Sequence, residues 1–181
     1  MKKLILIFLF IPIVFFGQTD FRKMNWQDNI EDLKMAYPEV RFEKVKEQGI
    51  DLLMHTDYLI GIETSIVYAF SEDKLIAGFY AIDPLAILKK TKERLKDFYN
   101  ISERLNDKYD MERSDEWLVT TWKDEPNHLD HAIDMGDVEL IEKSEVGKTY
   151  IIHTLNKNDH SLVYASAEWF EIMQQEQADD F

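Results

Sequence analysis

Ile60-Gly-Ile-Glu-Thr-Ser-Ile-Val-Tyr-Ala-Phe-Ser-Glu-Asp-Lys-Leu-Ile-Ala-Gly-Phe-Tyr-Ala-Ile82 is the stretch that decides the fold class. Ile60, Ile62, Ile66, Tyr68 and Phe70 recur at even offsets, which lines them along one face of an extended strand. Ser71-Glu72-Asp73-Lys74 is a polar link, after which Leu75, Ala77 and Phe79 resume the alternation. Two alternating runs joined by so short a link predict an antiparallel hairpin. Upstream, Asp51 to Thr56 reads as a shorter strand. Downstream, Thr149 to Leu155 and Ser161 to Trp169 flank Asn156-Lys157-Asn158-Asp159 as a second hairpin, and Glu116 to Trp122 and Asp137 to Val146 read as strands around a polar loop from Lys123 to His131.

Two helices punctuate this pattern. Asp28 with Glu31 resembles a capping box ahead of Ile30, Leu33 and Tyr37, and Pro38 ends the turn. Asp83-Pro84 pairs a good N-cap with a residue pre-shaped for the first helical position. From there Leu88, Thr91, Leu95, Phe98, Ser102, Leu105 and Tyr109 step by three and four residues, with Lys89, Lys90, Glu93, Arg94, Lys96 and Asp97 opposite. The order helix, three strands, helix, four strands predicts an α+β fold. It has two helix-plus-antiparallel-meander units, with the helices packed on one face of a largely antiparallel sheet.

The chain begins with a charged Lys2-Lys3 pair and an apolar run from Leu4 to Phe16, then Gly17. That run is shorter than the roughly 20 residues needed to span a bilayer, and it has the form of a secretory leader. Residues 1–17 are therefore expected to be a signal peptide, 18–173 one α+β domain and 174–181 a frayed acidic tail, which places the protein in the periplasm or outside the cell. The chain has no cysteine, so neither a disulfide nor a cysteine-linked lipid is available. Net charge is −14, and −16 without Lys2 and Lys3. Such a balance repels phosphate backbones and anionic lipid, which argues against nucleic acid and against membrane insertion after cleavage.

Phe21-Arg22-Lys23-Met24-Asn25-Trp26-Gln27-Asp28, the Tyr68-Ala69-Phe70-x-x-Asp73-Lys74-Leu75 hairpin and Leu105-Asn106-Asp107-Lys108-Tyr109 together resemble a group of uncharacterised bacterial exported domains and lipoproteins. Their pattern starts F-R-x-x-x-W-G-x-S/D, and Gln27 stands where that pattern has glycine. The layout is also similar to the β-lactamase-inhibitor-like and outer-membrane-assembly lipoprotein folds, whose helix-plus-meander units serve as binding modules. The resemblance implies a fold and a cell-envelope or extracellular setting, and no catalytic residue.

His128-x-x-His131, with Asp134 and Asp137, is the only run of ligand-type residues, and the H-E-x-x-H signature is absent. No G-x-S-x-G, G-x-G-x-x-G or P-loop occurs. With 35 acidic residues, a pair of carboxylates at glycosidase spacing arises by chance. Tyr68, Tyr80, Tyr150, Tyr164 and Trp169 lie on or beside expected strands and form a candidate binding face, since Tyr and Trp dominate interface hot spots. The expectation is a non-catalytic, exported module that binds a protein or small ligand without cofactor or metal. The alternatives are a carboxylate-dependent hydrolase and a metal-binding domain on His128 and His131.

Overall fold

The computed structural model describes residues 20–82, 89–119, 123 and 128–172. The leader, the Asp83-Pro84 boundary and the acidic tail fall outside the described residues. Helix α1 (Ile30–Ala36) is followed by β1 (Glu43–Glu47), β2 (Ile50–Leu59), β3 (Ile62–Ser71) and β4 (Lys74–Ala81). Then come α2 (Thr91–Asn106), β5 (Glu112–Arg113), β6 (Glu116–Trp117), α3 (Leu129–Met135), β7 (Val138–Val146), β8 (Thr149–Leu155) and β9 (His160–Ser166). Residues 167–172 form a further helical segment.

All pairings are antiparallel, in a nine-stranded sheet ordered β1-β2-β3-β4-β9-β8-β7-β5, with β6 also on β7. The fold is α+β. Two meanders, β1–β4 and β7–β9, meet where their last strands, β4 and β9, pair from Ala77↔Ala165 to Ala81↔Ser161.

Several boundaries differ from the sequence expectation. The α1 cap is Asn29, not Asp28: its side chain accepts from the Glu31 and Asp32 amides, while the Asp32 carboxylate accepts from the Asn29 amide. β1 was not anticipated, because Glu-Lys-Val-Lys-Glu carries no apolar alternation and is exposed throughout. The loop expected up to His131 instead starts α3 at Leu129, and Gly136, at φ +82°, closes that helix in the left-handed conformation. The strand expected from Glu116 to Trp122 pairs only at Glu116 and Trp117, with residues 120–122 outside the described set. The last strand stops at Ser166 rather than Trp169.

Three hairpins turn through two residues that both have positive φ: Gln48-Gly49, Ile60-Gly61 and Glu72-Asp73. This is the type I′ signature, whose twist matches that of the paired strands. Ile60, which the even-offset pattern had placed on a strand face, sits at φ +46° and half exposed. A β-branched side chain is poorly suited to that region.

Residue parity divides the sheet into two faces. Leu53, Ile66, Tyr68, Tyr80, Ile151 and Leu162 point to the face that receives Leu33 of α1 and Ile101 and Leu105 of α2. Farther along the same face, Phe98 of α2 and Ala132 and Ile133 of α3 pack on Val138, Leu140 and Leu155. Among the described residues the opposite face is covered only in part, by Trp169, Phe170 and Ile172 over Ile50, Ala69, Ile76, Ala77 and Ala165.

The N-terminal Phe21–Trp26 segment plugs the centre of the helix face. Phe21 and Met24 exchange backbone hydrogen bonds, and the Phe21 ring lies 5.3, 5.2 and 5.6 Å from those of Tyr68, Tyr80 and Tyr164. Its seat is Gly78: a β-carbon there would come within 2.2 Å of the Phe21 ring. Arg22 bonds Asp57 at 2.7 Å, and the Trp26 indole donates to Thr149 Oγ1 at 2.9 Å. Gln27 has φ +77°, a left-handed backbone conformation that favours glycine.

Two stability changes follow. Gly78→Ala forces an overpacked contact on a ring hemmed in by three tyrosines, and should cost about 1–3 kcal/mol, read from the urea midpoint. Ile60→Asn relieves the turn and should add about 1 kcal/mol, raising Tm by roughly 2–4 °C.

Candidate binding face

The partly open face of the sheet is built by register. One row across five strands reads Met54, Val67, Phe79, Val163 and Ile152, each the cross-strand partner of the next. All five are half-buried. At about 4.8 Å per strand the row is roughly 19 Å long. The next row is small and mostly hydroxylic: Thr56, Ser65, Ala81, Ser161 and Thr154. There Ser161 Oγ donates to Asp159 at 2.7 Å and lies 3.0 Å from Thr154 Oγ1. The row on the other side carries Ala69, Ala77 and Ala165, whose small side chains make room for Trp169 and Phe170.

At the β8–β7 end this face runs into an open cleft of about 560 Å³, lined by Asp110, Glu112, Lys143, Glu145, Tyr150 and Phe170 among others. Tyr150 and Phe170 meet edge to face at 4.7 Å.

The five aromatics expected to share a binding face are split. Tyr68 (fully buried), Tyr80 and Tyr164 point to the helix face and surround Phe21. Burial pushes the Tyr80 phenol up to about 12 and raises those of Tyr68 and Tyr164 as well, as expected of core tyrosines. Tyr150 and Trp169 belong to the other face, where Trp169 meets Phe79 at 5.3 Å.

His128 occupies the N-cap position of α3, and His131 lies in its first turn. Asp134 accepts a hydrogen bond from the Thr91 hydroxyl and so ties α3 to α2. Among the described residues no three His, Asp or Glu side chains gather as a metal would require.

A polar chain under α2 was not anticipated. Ser102 donates to Glu142 Oε2 at 2.6 Å, His153 Nδ1 lies 3.1 Å from the same oxygen, and His153 Nε2 lies 3.3 Å from His160 Nε2. Phe98 stacks on His153 at 4.2 Å. All four polar residues are buried. Serine, histidine and an acid suggest a hydrolytic triad, but the order is wrong for one. A nucleophilic serine needs its oxygen on the histidine base. Here Ser102 bonds the carboxylate, and the far nitrogen of His153 faces another histidine. The chain acts as a seam joining α2 to β7, β8 and β9. Its sequence signal was available: Glu142, His153 and His160 share the strand parity of Leu140, Ile151, Leu155 and Leu162, so they are polar residues in core phase.

Hydrogen bonds from His153 and Ser102 outweigh burial and keep the Glu142 carboxyl below its usual range. Burial lowers His153, and burial together with nearby positive charge takes His160 down to about 2. A hydrogen-bond scheme consistent with this has His153 donating from Nδ1 to Glu142 and accepting at Nε2 from neutral His160.

The chain matches no family model, no curated protein and no solved structure.

Acid should loosen this seam. Below pH about 6.5 the unfolded chain binds a proton at His160 that the fold refuses, so stability falls as pH drops, by about 1.4 kcal/mol per unit for one such histidine. His153 adds in the same direction, and Glu142 adds a further loss below its unfolded value near 4.5. Urea midpoints should therefore decline between pH 7.5 and 5.5. His160→Asn, which keeps a donor for His153, should flatten that slope by about one proton.

Proposed function

We propose that this protein is an exported, non-catalytic binding module that takes a protein partner on the partly open face of its sheet. The observation that carries the reading is the row Met54–Val67–Phe79–Val163–Ile152, a half-buried apolar band bordered by a row of small hydroxyl side chains. Apolar bands rimmed by polar residues are characteristic of protein interfaces. A band that runs across five strands suits a macromolecular surface better than a small ligand, which favours concave enclosure. The leader-like residues 1–17 support export, and the strongly acidic composition supports a soluble life beyond the cytoplasm. Among the described residues no helix is long and apolar enough to cross a membrane.

Capture from the envelope and culture medium of the producing cell by tagged residues 18–181 tests this reading. A specific partner should be retained by the parent chain and lost, at least tenfold, from Val67→Lys and Val163→Lys variants that keep the parent Tm. A partner held equally by both variants, or no partner at all, would remove the face from consideration.

A further inference from the structure

The outer edge of β7 is paired along only part of its length. β6 pairs with Val138 and Glu139, and β5 pairs with Glu142 and Lys143. On this edge the Asp137 carbonyl accepts from Leu118 and the Ile141 carbonyl from Ser114. The two-residue alternation of a ladder then turns the Glu145 amide and carbonyl to the same outer edge, past the end of β5. Among the described residues no strand continues the ladder there.

Before β5 the chain leaves the edge, and Met111 packs against the core cluster of the helix face. The gap this opens is the 560 Å³ cleft. Its floor carries Tyr150, Ile152 and Phe170, and it continues the apolar row of the partly open face. Its rim carries Asp110, Glu112 and Glu145 against Lys143, an excess of negative charge over one ammonium.

We infer that this cleft receives an extended basic segment of the partner protein, added as a strand to β7 at Ser144–Val146. The inference rests on the reading of the adjoining face as a protein-binding surface. Backbone groups of Glu145 pair with the incoming strand. An apolar side chain of that strand rests on Tyr150 and Phe170, and a lysine or arginine lies between Glu112 and Glu145. Strand addition draws its affinity from backbone bonds and its selectivity from alternate side chains, which fits a cleft that joins an unpaired edge to an aromatic floor and an acidic rim. A second copy of this chain, at a net charge of −14 or below, is a poor occupant of an acidic cleft.

The probe is a fluorescein-labelled octapeptide of alternating lysine and valine, titrated by anisotropy against residues 18–181 at low salt. The parent should bind it at least tenfold more tightly than it binds the alternating glutamate–valine peptide. Glu145→Gln, which removes charge but keeps the amide donor, should weaken binding severalfold. Glu145→Pro, which removes the donor too, should abolish it, and an octapeptide N-methylated at alternate residues should fail against the parent protein whether or not the proline variant folds. Equal binding of both peptides overturns the inference. So does unimpaired binding of the N-methylated peptide, since the lysines would then adhere without strand pairing. Peptide binding and partner capture are read separately, so failure of the cleft and failure of the face give different results.

Discussion

The β4–β9 pairing holds the sheet together, because without it the two meanders would be separate ribbons with bare edges. Along this seam the strands carry Ala77, Gly78 and Ala165, residues too small to fill either face. The vacancy at Gly78 is filled by Phe21, delivered from outside the sheet by a two-residue turn and held by Tyr68, Tyr80 and Tyr164. The alanines on the other face leave the space taken by Trp169 and Phe170. Both ends of the described chain thus converge on the middle of the sheet, one on each face. Completion of the core waits on segments far apart in sequence, a topology with the high loop-closure cost of non-local contacts.

Polar side chains secure the periphery where packing alone does not. The Arg94 guanidinium, almost wholly buried, donates to the carbonyls of Asn156 at 2.8 Å, Lys157 at 3.1 Å and Asp159 at 2.8 Å. It thereby fixes the β8–β9 turn against α2. The Ser102–Glu142–His153–His160 seam does the same one layer further in. Such groups specify a single arrangement of helix on sheet, at the cost of desolvating them. They also turn the residues of a familiar catalytic vocabulary into structural fastenings, which composition alone could never have distinguished.

The hairpins were legible because each half-buried strand repeats an apolar residue every two positions, as Ile66, Tyr68 and Phe70 do. β1 was illegible for the converse reason: its pairing comes from backbone ladders with β2, and Glu43, Lys44, Lys46 and Glu47 leave no apolar trace. Parity shows that Tyr68 and Tyr80 face away from Tyr150, but not which face the helices cover. That depends on where α1 and α2 land, a tertiary fact. The aromatic site expected from the sequence was thus split between core and surface. The partly open face was less visible still, since Met54, Val67, Phe79, Val163 and Ile152 are ordinary strand residues until register puts them in one row.

The charged strand at the far end has a consequence for how the molecule can assemble. A sheet that offers both edges to neighbours can grow without limit, and filaments are the usual outcome. Here β1 closes one end, since any strand laid against it must desolvate a row of glutamates and lysines, with Lys44 already held by Asp51 at 3.2 Å. Among the described residues the remaining edge is that of β7, and growth there stops after one addition unless the newcomer brings an open edge of its own. The sheet is built as a terminus rather than a link, a polarity written into the five residues Glu-Lys-Val-Lys-Glu.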